Sequence, residues 1–477
     1  MDNLKDKTAR GLFWGLMNNG TTQVLNLVFG IFLGRLLSPA DYGMVGVLTI
    51  FTAIAGNLQS SGFSQALANL KHASARDYNS VFWFNITVSV IMYAILFASA
   101  PLIASFFRRP ELVSLSRFVF LAFLISSFGI AHSAYMFRNL MVRENTLIGT
   151  VALIASGVTG ITLAMRGHAY WSIAWQQVVY ISVLNLGRYY YTPWRPSFNI
   201  DFGPVRSMFG FSCKILLTSI INTLNQNLLV FIFGRLYPMR SVGNFSQANK
   251  WNTMASSLVS STMAQVSQPV LARIADDEDR ERRVFRKLVR FTSLVSFPAM
   301  FGLAMVADEF IAVTIGRRWA DCVPLLRVLC IGGALLPLYT LYQNLMISRG
   351  RSDIYLWCNI IQVAAQLVLV LAFAGWGIGP MVIAYTVFGI AFIGVWQYFL
   401  NRLTGITAIE VLKDVCPFLV VSACVMAATY AATATLTSAA LLLCARIVMA
   451  AALYFVVMKL LRVKILDECI GFILKRK

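Results

Sequence analysis

Acidic residues are scarce in this sequence. Twenty Asp and Glu stand against 40 Lys and Arg, and charge of either sign occupies 13% of the 477 positions, about half the share of a soluble globular domain. With 58% hydrophobic residues and a mean hydropathy of +0.70, the composition argues against a soluble enzyme or binding module. None of the acids lies deep in an apolar run; Asp308 and Glu309 come nearest. Exporters that couple cation extrusion to protons or sodium usually embed a carboxylate, so this shortage weighs against a drug or cation exporter. Histidine is rarer still, with three residues scattered near run ends, and the eight cysteines form no CxxC pair. No metal or cofactor is expected from them. GxGxxG and Walker patterns are missing, which argues against nucleotide hydrolysis in this chain. No connection between apolar runs is long enough for a soluble domain. A membrane polymerase or ligase, which needs a sizeable loop with convergent polar groups, is therefore disfavoured.

What the sequence has is apolar length. A helix needs about 20 mostly apolar residues to cross a bilayer core of about 30 Å. Runs at 12–36, 43–68, 80–104, 113–135, 146–165, 170–191, 208–236, 241–267, 289–307, 324–346, 354–375, 379–400, 415–434 and 438–460 meet that requirement. They predict an all-α polytopic membrane protein of about 14 transmembrane helices. Lys5, Lys7 and Arg10 precede a first run of full membrane length, so that run is expected to remain as a helix rather than to act as a short signal core. Most Lys and Arg fall on one side of the alternating spans, which by the positive-inside rule places both termini in the cytoplasm. The net charge of +20 then needs no nucleic acid to explain it. The basic tail Lys475, Arg476, Lys477 and the loop 273–290, "RIADDEDRERRVFRKLVR", read first as solvated, partly interfacial cytoplasmic segments, and second as contacts for anionic membrane lipid headgroups or a partner.

The sequence also repeats itself. "LGRLLSPADYGMVGVLTIFT" at 33–52 is echoed by "FGRLYPMRSVGNFSQANKWN" at 233–252, which aligns Gly34-Arg35-Leu36 with Gly234-Arg235-Leu236 and Gly43 with Gly243. On the first helix Asn18, Thr22 and Asn26 share one face, as Thr218, Asn222 and Gln226 do on the seventh. Such stripes do not face lipid cheaply; they line a helix contact or a wet cavity. An offset of six helices gives two parallel repeats: a lobe over 1–200, a second over 201–405, and two further helices with a tail over 406–477.

The charged N-terminus followed by "GLFWGLMNNGTTQVLNLVFGIFLGRLLSPADYGMVGVLTIF", then "YMFRNLMVREN" and "GRRWADCVPLLRVL", resembles the polysaccharide transporter branch of the multidrug, oligosaccharidyl-lipid and polysaccharide exporter superfamily. The resemblance spans essentially the whole chain and is most specific at "GRLLSPADYG". It implies two six-helix lobes in a V around a central cavity, with helices 13 and 14 bordering a lipid-tail groove. It further implies a flippase of the bacterial inner membrane. That flippase would carry undecaprenyl-diphosphate-linked oligosaccharide to the periplasmic leaflet for exopolysaccharide, capsule or O-antigen synthesis, and would work beside the polymerase and export machinery.

Lys250 gains a reason from this. Counted from residue 241 at 1.5 Å per residue, it lies about 13 Å into its span, where an unpartnered lysine costs roughly 2.5–3.5 kcal/mol. A diphosphate would partner it. Asn249 and Asn252 flank it, with Thr253, as donors and acceptors for sugar hydroxyls. Arg35 and Arg235 form a cationic rim or snorkel to the interface, and Arg446 is a second intramembrane cation. The candidate substrate-binding set is Lys250, Arg35, Arg235, Asn18, Asn26, Asn222, Gln226, Asn249, Asn252 and Arg446. A lipid II flippase is the nearest rival, since its cargo is also a diphosphate lipid.

Overall fold

The computed structural model describes residues 2–60, 67, 73–198, 200–463 and 465–468. Among them every regular element is helical. The side chains of Asn18, Thr218 and Asn222, and the tail residues 475–477, lie outside the described residues.

Proximity of Cα atoms divides the chain into two compact units, 1–243 and 244–477. The first holds α1 (Asp2–Leu36), α2 (Pro39–Gly46), α3 (Thr49–Ser60), α4 (Ala75–Phe107), α5 (Leu112–Ser127), α6 (Ile130–Arg138), α7 (Val142–Met165), α8 (Trp171–Tyr191) and α9 (Gly203–Leu236). The division falls near the start of α10 (Met239–Arg273). The second unit continues with α11 (Glu278–Met305), α12 (Ala307–Thr314), a 3₁₀ turn at Arg317–Trp319, α13 (Cys322–Gly333), α14 (Leu336–Ser348), α15 (Ser352–Ala372), α16 (Ile378–Thr404), α17 (Ala408–Ala432) and α18 (Ala439–Leu460).

Where the residues are described, each expected span falls on one helix or on two successive helices. Among the described residues nine helices are long and apolar enough to cross a membrane, ten if the bent pair α5 and α6 is one span. The remaining expected spans are α1, α8, α9 and α10; α8 and α10 fold as helices with polar groups spread through them, and of α9 the described apolar stretch is Gln226–Leu236. The stretch 273–290 is not the loop its charges suggest: α10 runs to Arg273 and α11 starts at Glu278. The Asp277 side chain accepts the Arg280 N–H at 3.0 Å and caps the new helix.

Interrupted spans need their freed backbone groups satisfied, because the hydrocarbon offers no water to do it. Where α5 bends by 44° into α6, Asn185 on α8 donates to the Ile125 carbonyl at 2.5 Å. Where α13 breaks before α14, Ser296 on α11 donates to the Ala334 carbonyl at 2.7 Å. Both breaks are held by a polar side chain from a neighbouring helix.

The repeat is visible in the backbone. α1 ends at Leu36 and α9 at Leu236; the next helices begin at Pro39 and Met239. At the first start, Ser38 and Asp41 form a reciprocal capping box. The matched glycines then meet reciprocally within the first unit: a Cβ on Gly43 would land on the Met239 carbonyl, and one on Gly243 on the Pro39 carbonyl. Only glycine lets two backbones approach this closely. In the connection before α9, Asp201 accepts the Gly203 N–H at 2.8 Å and the Arg76 guanidinium at 2.5 Å. These bonds hold its carboxyl below the ordinary carboxylate value.

In the first unit α1 packs along α7, α7 along α8, α4 along α5, and α9 against α3 and α4; in the second, α11 packs along α17, and α16 against α13 and α15. The α11–α17 pair is fastened by charge. Arg286 reaches Asp414 at 2.6 Å and Glu410 at 3.2 Å, Arg290 reaches Asp414 at 2.6 Å, and Arg282 reaches Glu410 at 2.5 Å. Asp414 is buried with three of its bonds made to these arginines.

A polar stripe around Lys250 as the candidate functional site

α10 is the least apolar of the expected spans, and part of its polarity is arranged along one face. Ser246, Lys250, Thr253, Ser257 and Ser261 recur at three- and four-residue spacing and therefore lie above one another. Lys250, Thr253 and Ser261 are exposed, and Ser246 and Ser257 are half-buried. The opposite side is packed: Phe245, Gln247, Ala248, Trp251 and Asn252 are buried, and the Trp251 ring stands edge-on to Phe310 at 5.0 Å. The Ser246 hydroxyl is buried and the Ser257 hydroxyl donates to the Met254 carbonyl at 3.0 Å, so the exposed polar groups of the row are Lys250, Thr253 and Ser261, which acyl chains solvate poorly.

Lys250 sits in the upper half of that row. Its Nζ lies 6.0 Å from the Trp251 ring centre, at the outer limit of a cation–π contact. Among the described residues it forms no ion pair with a carboxylate. It is thus an exposed positive charge within an expected span, beside the hydroxyl of Thr253. That combination suits a phosphate-bearing, sugar-rich ligand.

The other residues singled out from sequence fall into three groups. Asn249 is half-buried beside Lys250, whereas Asn252 turns inward, where a Cβ on Gly333 would strike its side chain; Asn252 belongs to packing. Arg446 is also buried. Its guanidinium pairs with Glu309 of α12 at 2.8 Å, donates to the Thr433 hydroxyl at 3.1 Å and stacks over Tyr430 at 4.2 Å. It is neutralised in place rather than offered to a ligand. In the first unit Asn26, Arg35 and Gln226 are exposed, and Arg235 is half-buried with its guanidinium 5.5 Å from the Phe106 ring centre.

Sequence reading missed Ser257 and Ser261 as the lower part of the stripe, although their spacing from Lys250 carried the signal. It also missed that α9 uses its next polar face for packing. Asn57 on α3 donates to the Ser219 carbonyl at 3.2 Å and bonds the Thr223 hydroxyl, and Thr49 meets Asn227 at 3.4 Å.

Many helices apolar enough to span a bilayer, together with the relatives below, define a multi-pass membrane transporter. Its sequence belongs to the polysaccharide biosynthesis protein family, which matches residues 32–324. It is 24% identical over 365 residues to the lipopolysaccharide biosynthesis protein WzxC of Escherichia coli, covering 75% of this chain and 73% of that one. The teichuronic acid biosynthesis protein TuaB of Bacillus subtilis is 25% identical over 74% of each chain. The succinoglycan biosynthesis transport protein ExoT of Rhizobium meliloti is 23% identical over 75% of this chain and 72% of its own. Among solved structures, the lipid II flippase MurJ in an inward closed conformation superposes with a TM-score of 0.76 at 12% identity, covering 93% of this chain and 97% of that one. An inward-facing multidrug resistance MATE transporter of the MOP superfamily gives 0.64 at 17% identity over 81% and 96%. The chain shares their fold.

Proposed function

We infer that this protein is a flippase for lipid-linked oligosaccharide in polysaccharide biosynthesis. The cargo is an oligosaccharide on undecaprenyl diphosphate, carried from the cytoplasmic to the periplasmic leaflet of the bacterial inner membrane, with both termini in the cytoplasm. The carrying observation is the exposed stripe on α10, in which Lys250 stands without a carboxylate partner among the described residues and hydroxyls follow on the same face. The lysine meets the diphosphate, while Thr253, Ser257 and Ser261 take over hydrogen bonds that the sugar hydroxyls make to water. The charge-assisted contact of Lys250 with phosphate contributes roughly 1.5–3 kcal/mol, and each neutral hydroxyl contact about 0.5–1.5 kcal/mol. Asn26 and Gln226 in the first unit are further polar contacts, and Arg35 and Arg235 are cations at the ends of their helices. The repeat organisation is six helices in each of 1–200 and 201–405, followed by two in 406–477, fourteen spans in all. The relatives named for lipopolysaccharide, teichuronic acid and succinoglycan synthesis support this cargo class.

Transport of lipid II is the second reading, favoured by the likeness to MurJ. A strain lacking the gene separates the two. Loss of extracellular polysaccharide with accumulation of inner-leaflet repeat units, and normal peptidoglycan, is the expected result. Intact polysaccharide in that strain contradicts the assignment. Restoration by wild-type protein but not by Lys250→Ala at equal abundance, with export down about ten-fold for the loss of one charged contact, assigns the lysine its role.

A further inference from the structure

Away from the α10 stripe, the second unit holds a groove of about 470 Å³ lined by Arg282, Arg283, Arg286, Lys287, Arg290, Phe418, Val463, Ile465 and Glu468. Its construction separates two kinds of cation. Arg282, Arg286 and Arg290 are consumed in fastening α11 to Glu410 and Asp414 of α17. Lys287 meets the exposed carboxylate of Glu468 at 2.5 Å, and Arg283 is exposed with no ion pair among the described residues. Five cations thus stand against three carboxylates, which leaves the groove with two positive charges in excess.

The remaining wall is apolar and built by a turn. After α18 the chain reverses at Arg462, whose φ of +47° lies in the left-handed region that side chains other than glycine adopt at a cost. The reversal carries Val463, half-buried, and Ile465, buried, to the groove, opposite the buried Phe418 of α17. Cationic and apolar walls therefore meet at the basic end of α11, immediately before its apolar stretch enters the bilayer. A free phosphate would use only the first wall. An anionic amphiphile uses both, with its phosphate on the guanidinium and ammonium groups and the upper part of its acyl chains on Phe418, Val463 and Ile465. Basic pockets between membrane helices hold anionic headgroups in this way.

The geometry points to a binding site for the headgroup of an anionic phospholipid, held chiefly by Arg283 and Lys287 and opposed by Glu468. It is distinct from the α10 stripe and does not depend on the nature of the cargo. Bound lipid would brace the α11–α17 pair from outside, and Glu468 would limit its affinity by competing for Lys287.

The test is a titration of the full-length protein in detergent with phosphatidylglycerol, phosphatidylcholine and inorganic phosphate, with bound lipid counted by native mass spectrometry. Each cation near an anionic headgroup contributes about five-fold in affinity, so Arg283→Ala with Lys287→Ala should weaken phosphatidylglycerol binding by roughly 25-fold. Both substitutions leave the Glu410 and Asp414 ion pairs in place, so the variant is expected to fold; thermal unfolding without added lipid checks this. Glu468→Gln should tighten binding by about two- to five-fold. Equal retention of phosphatidylglycerol by wild type and the double variant overturns the site, as does equal binding of phosphatidylcholine. Displacement of the lipid by equimolar inorganic phosphate overturns the headgroup assignment in favour of a soluble anion.

Discussion

Lys250 and Arg446 look alike in the sequence, each a lone cation in an apolar run, and the structure separates them by what surrounds them. Arg446 is buried with Glu309, so removing either partner strands a charge, at a cost of about 3–5 kcal/mol. Arg446→Ala should therefore deplete the protein from the membrane, and Glu309→Gln should do so nearly as strongly. Replacing both residues with leucine and methionine should recover much of the loss. Lys250→Ala should leave abundance unchanged, because its side chain is exposed and fastens nothing. Immunoblots of membrane fractions and thermal unfolding of the purified variants read the difference. The presence of both cations was legible from residue types alone. Their roles were not, because Glu309 lies 137 positions before Arg446 and only the packing of α12 against α18 joins them.

At the scale of the element, α10 is an expected span that is polar along one face. Its buried face anchors it in the second unit and its other face carries the hydroxyls. Single cysteines at 250, 253, 257 and 261, in a background without the native cysteines, should react with a membrane-impermeant maleimide on at least one side of the membrane. Cysteines at 247, 251 and 252 should stay at least ten-fold slower. Uniform protection of the exposed set would mean that the stripe faces protein or lipid. The Gly43 and Gly243 crossing makes a separate prediction. Alanine at either position drives a methyl into a backbone carbonyl, which cannot yield as a side-chain tip can, so a loss of about 1–3 kcal/mol is expected. Gly20→Ala, with open space around it, should be neutral. The alignment of the two glycines was legible in sequence, since small residues mark close helix crossings. That they would meet each other was not.

For the whole molecule, helix positions were legible because bilayer thickness imposes a length on every apolar run. The helix breaks at 47–48, 128–129 and 334–335 were not, because they depend on partners such as Asn185 and Ser296 from other helices. α10, which bears Lys250 and its hydroxyls, is absent from the helices apolar enough to span among the described residues. The central claim is that the cation of this stripe engages the phosphate of a lipid-linked oligosaccharide. The measurement that bears on it most directly is translocation of a diphosphate-linked lipid oligosaccharide in proteoliposomes containing wild-type protein, Lys250→Arg or Lys250→Ala. Wild type and Lys250→Arg should translocate at rates within about three-fold of each other, and Lys250→Ala should be slower by about ten-fold or more. Equal rates for all three would contradict the account.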